Sequence, residues 1–93
     1  MTDPQAQLEA LLDVFARMGT PARKERLGGS GGGLCTIRDQ KALFVDLDAD
    51  TATQVDQTLA ALATVPEAEV MYLLPALRER LEKLKGNPEQ RGL

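Results

Sequence analysis

The chain has no histidine and no tryptophan, and its 93 residues include one cysteine, two phenylalanines and one tyrosine. Without histidine, one subunit can form neither a Ser-His-Asp triad nor a Cys-His pair, and it cannot ligate zinc or iron through imidazole. With so few aromatic rings, there is little surface on which bases or sugars could stack. These absences predict a protein that is not an enzyme and that binds no metal or other cofactor.

Long apolar runs and excess positive charge are also missing. The longest apolar run, residues 70–77, is short and includes Pro75, and residues 1–8 lack the basic and apolar regions of a signal peptide. A net charge of -3 argues against a binder of nucleic acid or of an anionic membrane. The single cysteine is typical of a reducing compartment. We therefore expect a cytoplasmic protein without nucleic-acid or membrane partners.

What is present fits one small folded domain. Hydrophobic residues make up 43% and charged residues 27% of the chain, which are ordinary values for a globular protein. At this length the chain has room for one hydrophobic core, which must be mainly aliphatic. We expect a single domain over residues 1–86 and a frayed tail over residues 87–93.

Apolar spacing and capping residues predict three helices. The first covers about residues 4–18, with Asp3 as N-cap, Pro4 at the first position, an apolar stripe and Gly19 at its end. The second covers residues 51–65 after a Thr51–Gln54 capping box, and its exposed side includes Gln54, Gln57 and Thr58. The third covers about residues 75–85, with its apolar stripe facing inward: Leu77, Leu81 and Leu84.

Two runs rich in apolar and β-branched residues predict a hairpin over residues 34–47. A two-residue turn at Asp39 and Gln40 would place Cys35 opposite Phe44, although a longer loop with another register stays open. Residues 22–27 would add an edge strand, and residues 67–74 form either a fourth strand or an irregular segment. The expected fold is α+β, with a three-stranded antiparallel sheet packed by the helices.

Between the edge strand and the hairpin lies a glycine loop, residues 28–33, with the sequence GGSGGG. Its amides could bind an anion through Gly29, Gly31 and Gly32, aided by the cations Arg26 and Arg38. The loop matches neither the phosphate-binding pattern GxxxxGK[ST] nor the dinucleotide pattern GxGxxG. The alternative is a connector, or a loop whose glycines let a neighbouring backbone approach closely.

Two further features have a structural and a chemical interpretation. Cys35 lies in a predicted strand, and without a histidine base we expect it to be a small buried hydrophobic residue. Asp46, Asp48 and Asp50 resemble the start of a calcium-binding EF-hand loop, but the sixth and twelfth positions are threonine and glutamine. We expect these aspartates to charge and cap the second helix, with weak divalent binding as the alternative.

The charges are segregated along the chain. Residues 17–41 contain six bases and two acids, whereas residues 42–77 contain six acids and no base. This pattern predicts a non-enzymatic interaction or assembly module, either a homodimer or the small subunit of a larger assembly. Arg23 and Arg26 of one copy would contact Asp46 and Asp48 of another, unless these stripes pair within one subunit. The alternative function is binding of phosphate or another anionic small ligand by the glycine loop.

Residues 31–82 resemble a family of small conserved hypothetical bacterial proteins, through GGGLC followed by TIR, a turn, ALFVD and PALRERLE. That resemblance implies a stand-alone cytoplasmic protein and supplies no function. The order of helix, strand, hairpin and helix is also similar to the front half of minimal zinc peptidases, whose next helix contains HExxH. Residues 51–65 contain neither histidine nor glutamate, so this likeness implies a scaffold without the metal site.

Overall fold

The computed structural model describes residues 3–85, which begin with helix α1, Pro4–Arg17. The Asp3 carboxylate accepts a hydrogen bond from the Ala6 N–H at 2.7 Å, and Pro4 occupies the first turn, where its missing N–H costs nothing. At the other end Gly19 adopts φ 81°, and the Thr20 N–H donates to the Phe15 carbonyl at 2.9 Å. The predicted first helix is confirmed.

The sheet has the strand order β1-β3-β2, with β1 at Ala22–Glu25, β2 at Gly33–Ile37 and β3 at Gln40–Asp46. β2 and β3 form the predicted antiparallel hairpin, but β1 runs parallel to β3. The α+β class is thus confirmed, whereas the purely antiparallel sheet was wrong. After β1, the glycine loop takes the chain past the end of β3 to the far edge, so β3 returns between the two earlier strands.

The hairpin turn lies one residue earlier than predicted. Arg38 and Asp39 have φ values of 52° and 66°, which identify a two-residue turn of type I′. Cys35 therefore pairs with Ala42, and Ile37 pairs with Gln40. The type I′ turn twists in the same sense as the two strands, and this favours the observed register although neither turn residue is glycine.

Two further helices follow the sheet, α2 at Thr51–Leu62 and α3 at Pro75–Leu84, with a short 3-10 helix at Pro66–Glu69 between them. α2 ends earlier than expected, and its N-cap is Asp50, whose carboxylate accepts the Thr53 N–H at 2.8 Å. Residues 67–74 contain no strand. The predicted tail, residues 87–93, lies outside the described residues.

One hydrophobic core joins the helices to one face of the sheet. Leu43 and Val45 of β3 are buried there among α-helical side chains: Leu8, Leu11, Val14, Phe15, Val55, Leu59, Leu62, Leu77 and Leu81. Several side chains differ from expectation: Thr58 is buried, Gln54 and Gln57 are half-buried, and Leu84 and Cys35 are exposed. Leu84 lies in the last turn of α3, beyond the reach of the core, and Cys35 lies on the other face of the sheet.

Candidate functional site

The glycine loop folds around the carboxylate of Asp46, the last residue of β3. The Gly29 and Gly31 N–H groups donate to its Oδ2 at 2.6 and 2.9 Å. The Leu27 and Asp48 N–H groups each donate to its Oδ1 at 2.9 Å. The Asp46 side chain is fully buried by this arrangement. The topology explains the contact, because the loop must cross the end of β3 to connect the two outer strands.

The environment of Asp46 favours its charged form. Burial alone raises the pKa of a carboxyl group, but here the N–H groups of Gly31, Leu27, Asp48 and Gly29 outweigh burial and lower the pKa of Asp46. The ionised carboxylate therefore accepts hydrogen bonds from both sides of the loop throughout the neutral pH range. Asp46 acts as an internal anion for the glycine loop.

Two more side chains fix the loop. Asp48 accepts hydrogen bonds from the Gly28 N–H and from the Arg26 guanidinium, each at 2.9 Å. Gln57 of α2 donates its Nε2 to the Gly29 carbonyl at 3.2 Å. A Cβ at Gly32 would lie 2.3 Å from the Gln57 Oε1, so α2 packs closely beneath the loop. The loop is thereby held by β3 and by α2.

The residues predicted to bind an anion are in different settings. The amides of Gly29 and Gly31 are bonded to Asp46, and Arg26 is paired with Asp48. Arg38 lies in the hairpin turn, at the opposite end of β2 and thus about 15 Å from the loop. The structure therefore does not bring Arg38 to the loop, and an added anion would have to displace the Asp46 carboxylate to reach the amides of Gly29 and Gly31.

The residues predicted to pair between subunits are also distributed differently. Asp46 is buried and was wrongly placed on the surface, because the loop covers it. Arg26 and Asp48 form an ion pair at 2.9 Å within one subunit. Arg23 lies 5.5 Å from the centre of the Phe44 ring and forms an ion pair with Glu25 at 3.4 Å. Part of the charge segregation is therefore satisfied inside the monomer.

Among the described residues, the outer edge of β2 finds no partner for its backbone groups. The Leu43 N–H donates to the Pro21 carbonyl at 2.9 Å, so it points towards β1 and away from β2. In an antiparallel ladder, the residue opposite such a group also points away. Leu34, which pairs with Leu43, and Thr36, two residues further on, therefore direct N–H and C=O groups outwards. No backbone group of residues 3–85 bonds to these four groups, which define the free edge of β2.

The two edges of the sheet differ in how well they are protected. β1 contains Arg23, Lys24 and Glu25, and charged side chains discourage the docking of another strand. β2 has the sequence GLCTI, without a charge or a proline, and its Cys35, Thr36 and Ile37 are exposed. The free edge of β2 therefore lacks the usual protection against strand pairing.

The sheet face opposite the core is called the open face. Because side chains alternate along a strand, Ala42 and Phe44 point away from the core that contains Leu43 and Val45. Cys35, the β2 partner of Ala42, is exposed, and Ile37, two residues further along the same face, is 41% exposed. A shallow groove of about 200 Å³ at the turn end of this face has three cationic side chains in its lining: Pro21, Arg23, Ile37, Arg38, Gln40, Lys41 and Ala42.

Comparison of the chain with protein-family models, with curated proteins and with solved structures finds no match. The resemblance to small hypothetical bacterial proteins and the likeness to zinc peptidases therefore stay predictions.

The described residues contain neither a metal-binding cluster nor a helix that could cross a membrane. Within the described part of the chain, no three His, Cys, Asp or Glu side chains are grouped so that they could hold a metal ion. Asp46, Asp48 and Asp50 are not such a group, and their carboxylates bond to backbone N–H groups. Between residues 3 and 85, no helix has the length and apolar character needed to cross a bilayer.

The contacts of Asp46 and Gln57 with the glycine loop were not predicted from the sequence. No clear signal was available for Asp46, because it shares the strand face of Ala42 and Phe44, which is the open face, and a solvated carboxylate is ordinary there. For Gln57, the signal is weak: the residue lies beside the apolar stripe of α2, where polar residues are common. Its role depends on how close α2 comes to Gly32, which the sequence does not specify.

Proposed function

We propose that the protein is a non-enzymatic interaction module, which assembles with itself or with a larger complex by adding a strand at the free edge of β2. The observation that supports this most strongly is the outward orientation of the backbone groups of Leu34 and Thr36 on an uncharged strand. Each such group can form a hydrogen bond with an extended partner, as in β-augmentation. The neighbouring open face offers Cys35 and Ile37 for side-chain contacts.

The rigid loop next to β2 also supports the proposal. Gly33, the first residue of β2, directly follows the loop that Asp46 and Gln57 hold in place. The other end of β2 is fixed by the two-residue turn at Arg38 and Asp39. β2 is therefore anchored at both ends, so a partner strand would meet a preorganised edge and little ordering entropy would be lost on docking.

The test uses two variants of one residue. Thr36→Pro removes the outward N–H group and places a ring on the free edge, whereas Thr36→Val keeps the N–H group and the β-branched shape. The tagged full chain and both variants are exposed to an untagged copy and to lysate of the host. We expect wild type and Thr36→Val to retain the same partner and Thr36→Pro to lose it. A partner retained equally by all three proteins would contradict the proposal.

A further inference from the structure

This inference rests on the proposed function and names the partner. We propose that the free edge of β2 pairs with β2 of a second copy, antiparallel and with a two-fold axis through Cys35. The two three-stranded sheets would then join into one sheet of six strands.

The backbone directions restrict the register. In an antiparallel pair, residues whose N–H and C=O groups point at each other exchange two hydrogen bonds. The outward groups of β2 belong to Leu34 and Thr36. With Cys35 on the two-fold axis, Leu34 of each copy faces Thr36 of the other, and all of these groups are paired. A two-fold axis through Leu34 would place Leu34 opposite Leu34 of the other copy and Thr36 opposite a residue beyond the end of β2. An axis through Thr36 would do the same with the two residues exchanged.

The side chains are compatible with this register. It places Gly33 of one copy opposite Ile37 of the other, so that the exposed isoleucine meets a residue without a side chain. Cys35 faces its own copy across the axis, and both thiols lie on the open face. No charged residue lies within β2, so the two-fold axis brings no like charges together.

The charges at the ends distinguish antiparallel from parallel pairing. The turn end of the hairpin has Arg38, Asp39 and Lys41, with an excess of one positive charge, and residues 3–85 provide no ion-pair partner within 4.0 Å for the two cations. The loop end has the exposed acids Asp48 and Asp50, of which Asp48 is paired with Arg26 of the same copy, so this end keeps an excess of one negative charge. Antiparallel pairing sets each basic turn beside the acidic end of the other copy. Parallel pairing would instead place the two Arg38 side chains together, which repulsion disfavours.

Cys35 makes the register measurable. In this arrangement the two Cys35 residues form a pair without hydrogen bonds between them, in which the Cα atoms are about 4.5 Å apart. That separation falls within the range of about 4.4–6.8 Å that a disulfide spans. Cys35 is exposed in the monomer and is the only cysteine of the chain, so a thiol oxidant has one target in each copy.

The experiment treats the full chain with diamide, a thiol oxidant, over a range of protein concentrations and measures covalent dimer on non-reducing gels. The control for random collision is Cys35→Ser combined with Ala16→Cys, which moves the thiol to the exposed side of α1. The edge control is Thr36→Pro, which keeps Cys35. We expect wild type to cross-link at least tenfold faster than either control, and light scattering to show a dimer that Thr36→Pro lacks.

Other outcomes separate this inference from the proposed function. If Leu34→Cys or Thr36→Cys in the Cys35→Ser background cross-links faster than Cys35, the register is overturned while edge pairing stands. If the protein stays monomeric but retains a different partner that Thr36→Pro loses, the second copy is overturned and the proposed function stands. A monomer with no association sensitive to Thr36→Pro overturns both.

Discussion

Proline substitution at two adjacent residues of β2 should have different effects on stability, because their N–H groups point in opposite directions. By the alternation of the ladder, the Cys35 N–H faces Ala42 of β3, whereas the Thr36 N–H faces outwards. Cys35→Pro therefore removes a hydrogen bond from inside the sheet, and Thr36→Pro removes none. The two substitutions introduce the same ring into the same strand, one residue apart.

The expected difference follows from the cost of the lost bond. Cys35→Pro leaves the Ala42 carbonyl without its donor, and Ala42 is only 7% exposed, so water cannot easily replace the bond. An unsatisfied buried group of this kind costs about 1–3 kcal/mol, while a surface substitution without such a loss stays within about 0.5 kcal/mol. For a domain of this size, a loss of about 1 kcal/mol lowers Tm by about 4–8 °C.

The assay is urea unfolding followed by circular dichroism at low protein concentration, where association does not contribute to stability. Cys35→Ser and Thr36→Ser serve as references that remove the same side chains and keep both N–H groups. We expect Cys35→Pro to be less stable than Thr36→Pro by at least about 1 kcal/mol after subtraction of the references. Equal losses, or a larger loss for Thr36→Pro, would refute the assignment of the free edge.

Three further predictions concern the loop and the core. Because the folded pKa of Asp46 is lowered, its contribution to stability is present above the ordinary value of 3.8 and is lost as pH falls through the folded pKa. The free energy of unfolding should therefore fall less steeply on acidification in Asp46→Asn than in wild type or in the Asp39→Asn control. Parallel curves of unfolding free energy against pH would contradict this. Gly31→Ala should destabilise more than Gly32→Ala, because its Cβ would meet the Leu27 Cβ at 2.4 Å, whereas at Gly32 the clash is with the far end of the Gln57 side chain, which can change rotamer. Overpacking costs about 1–3 kcal/mol, and Gln57→Ala should partly rescue only Gly32→Ala in a double-mutant cycle of unfolding free energies. Leu81→Ala should lower the free energy of unfolding by about 2–5 kcal/mol and Leu84→Ala by less than about 0.5 kcal/mol, since Leu81 is fully buried and Leu84 is 51% exposed. Similar losses of stability in thermal unfolding would show that the core boundary in α3 is misplaced.

Local signals predicted the helices and the hairpin well, because the information for these elements is close in sequence. Asp3, Pro4 and Gly19 define the ends of α1 through contacts with neighbouring residues. The alternation of apolar residues around the turn located the hairpin. The turn itself was misplaced by one residue, since Arg38 and Asp39 adopt positive φ without glycine and so give no clear sequence signal.

The strand order was not predictable in the same way. An edge strand before a hairpin can add to either side, and residues 22–27 were expected to be the edge strand of an antiparallel sheet. β1 instead pairs with β3, where the Leu47 N–H donates to the Glu25 carbonyl at 2.8 Å and the glycine loop bonds to Asp46. These contacts join residues about 20 positions apart, so no local pattern reports them. The free edge of β2 follows directly from this order.

The candidate site was predictable only as a region. The sequence pointed to the glycine loop and its neighbouring charges, and the structure joins Gly29 and Gly31 to Asp46 and Arg26 to Asp48. The exposure of Cys35 was missed, because an apolar strand next to a core gives no sign of which face each residue occupies when its register is uncertain.

Amide hydrogen exchange within β2, measured residue by residue by NMR, tests the central claim most directly. In dilute protein, the Cys35 amide should be protected, while the Leu34 and Thr36 amides exchange at rates close to those of an open strand. Raising the protein concentration, or adding the captured partner, should protect Leu34 and Thr36 and leave Cys35 unchanged. If Leu34 and Thr36 exchange rapidly under all of these conditions while the protein is associated, the free edge of β2 is not its interaction surface.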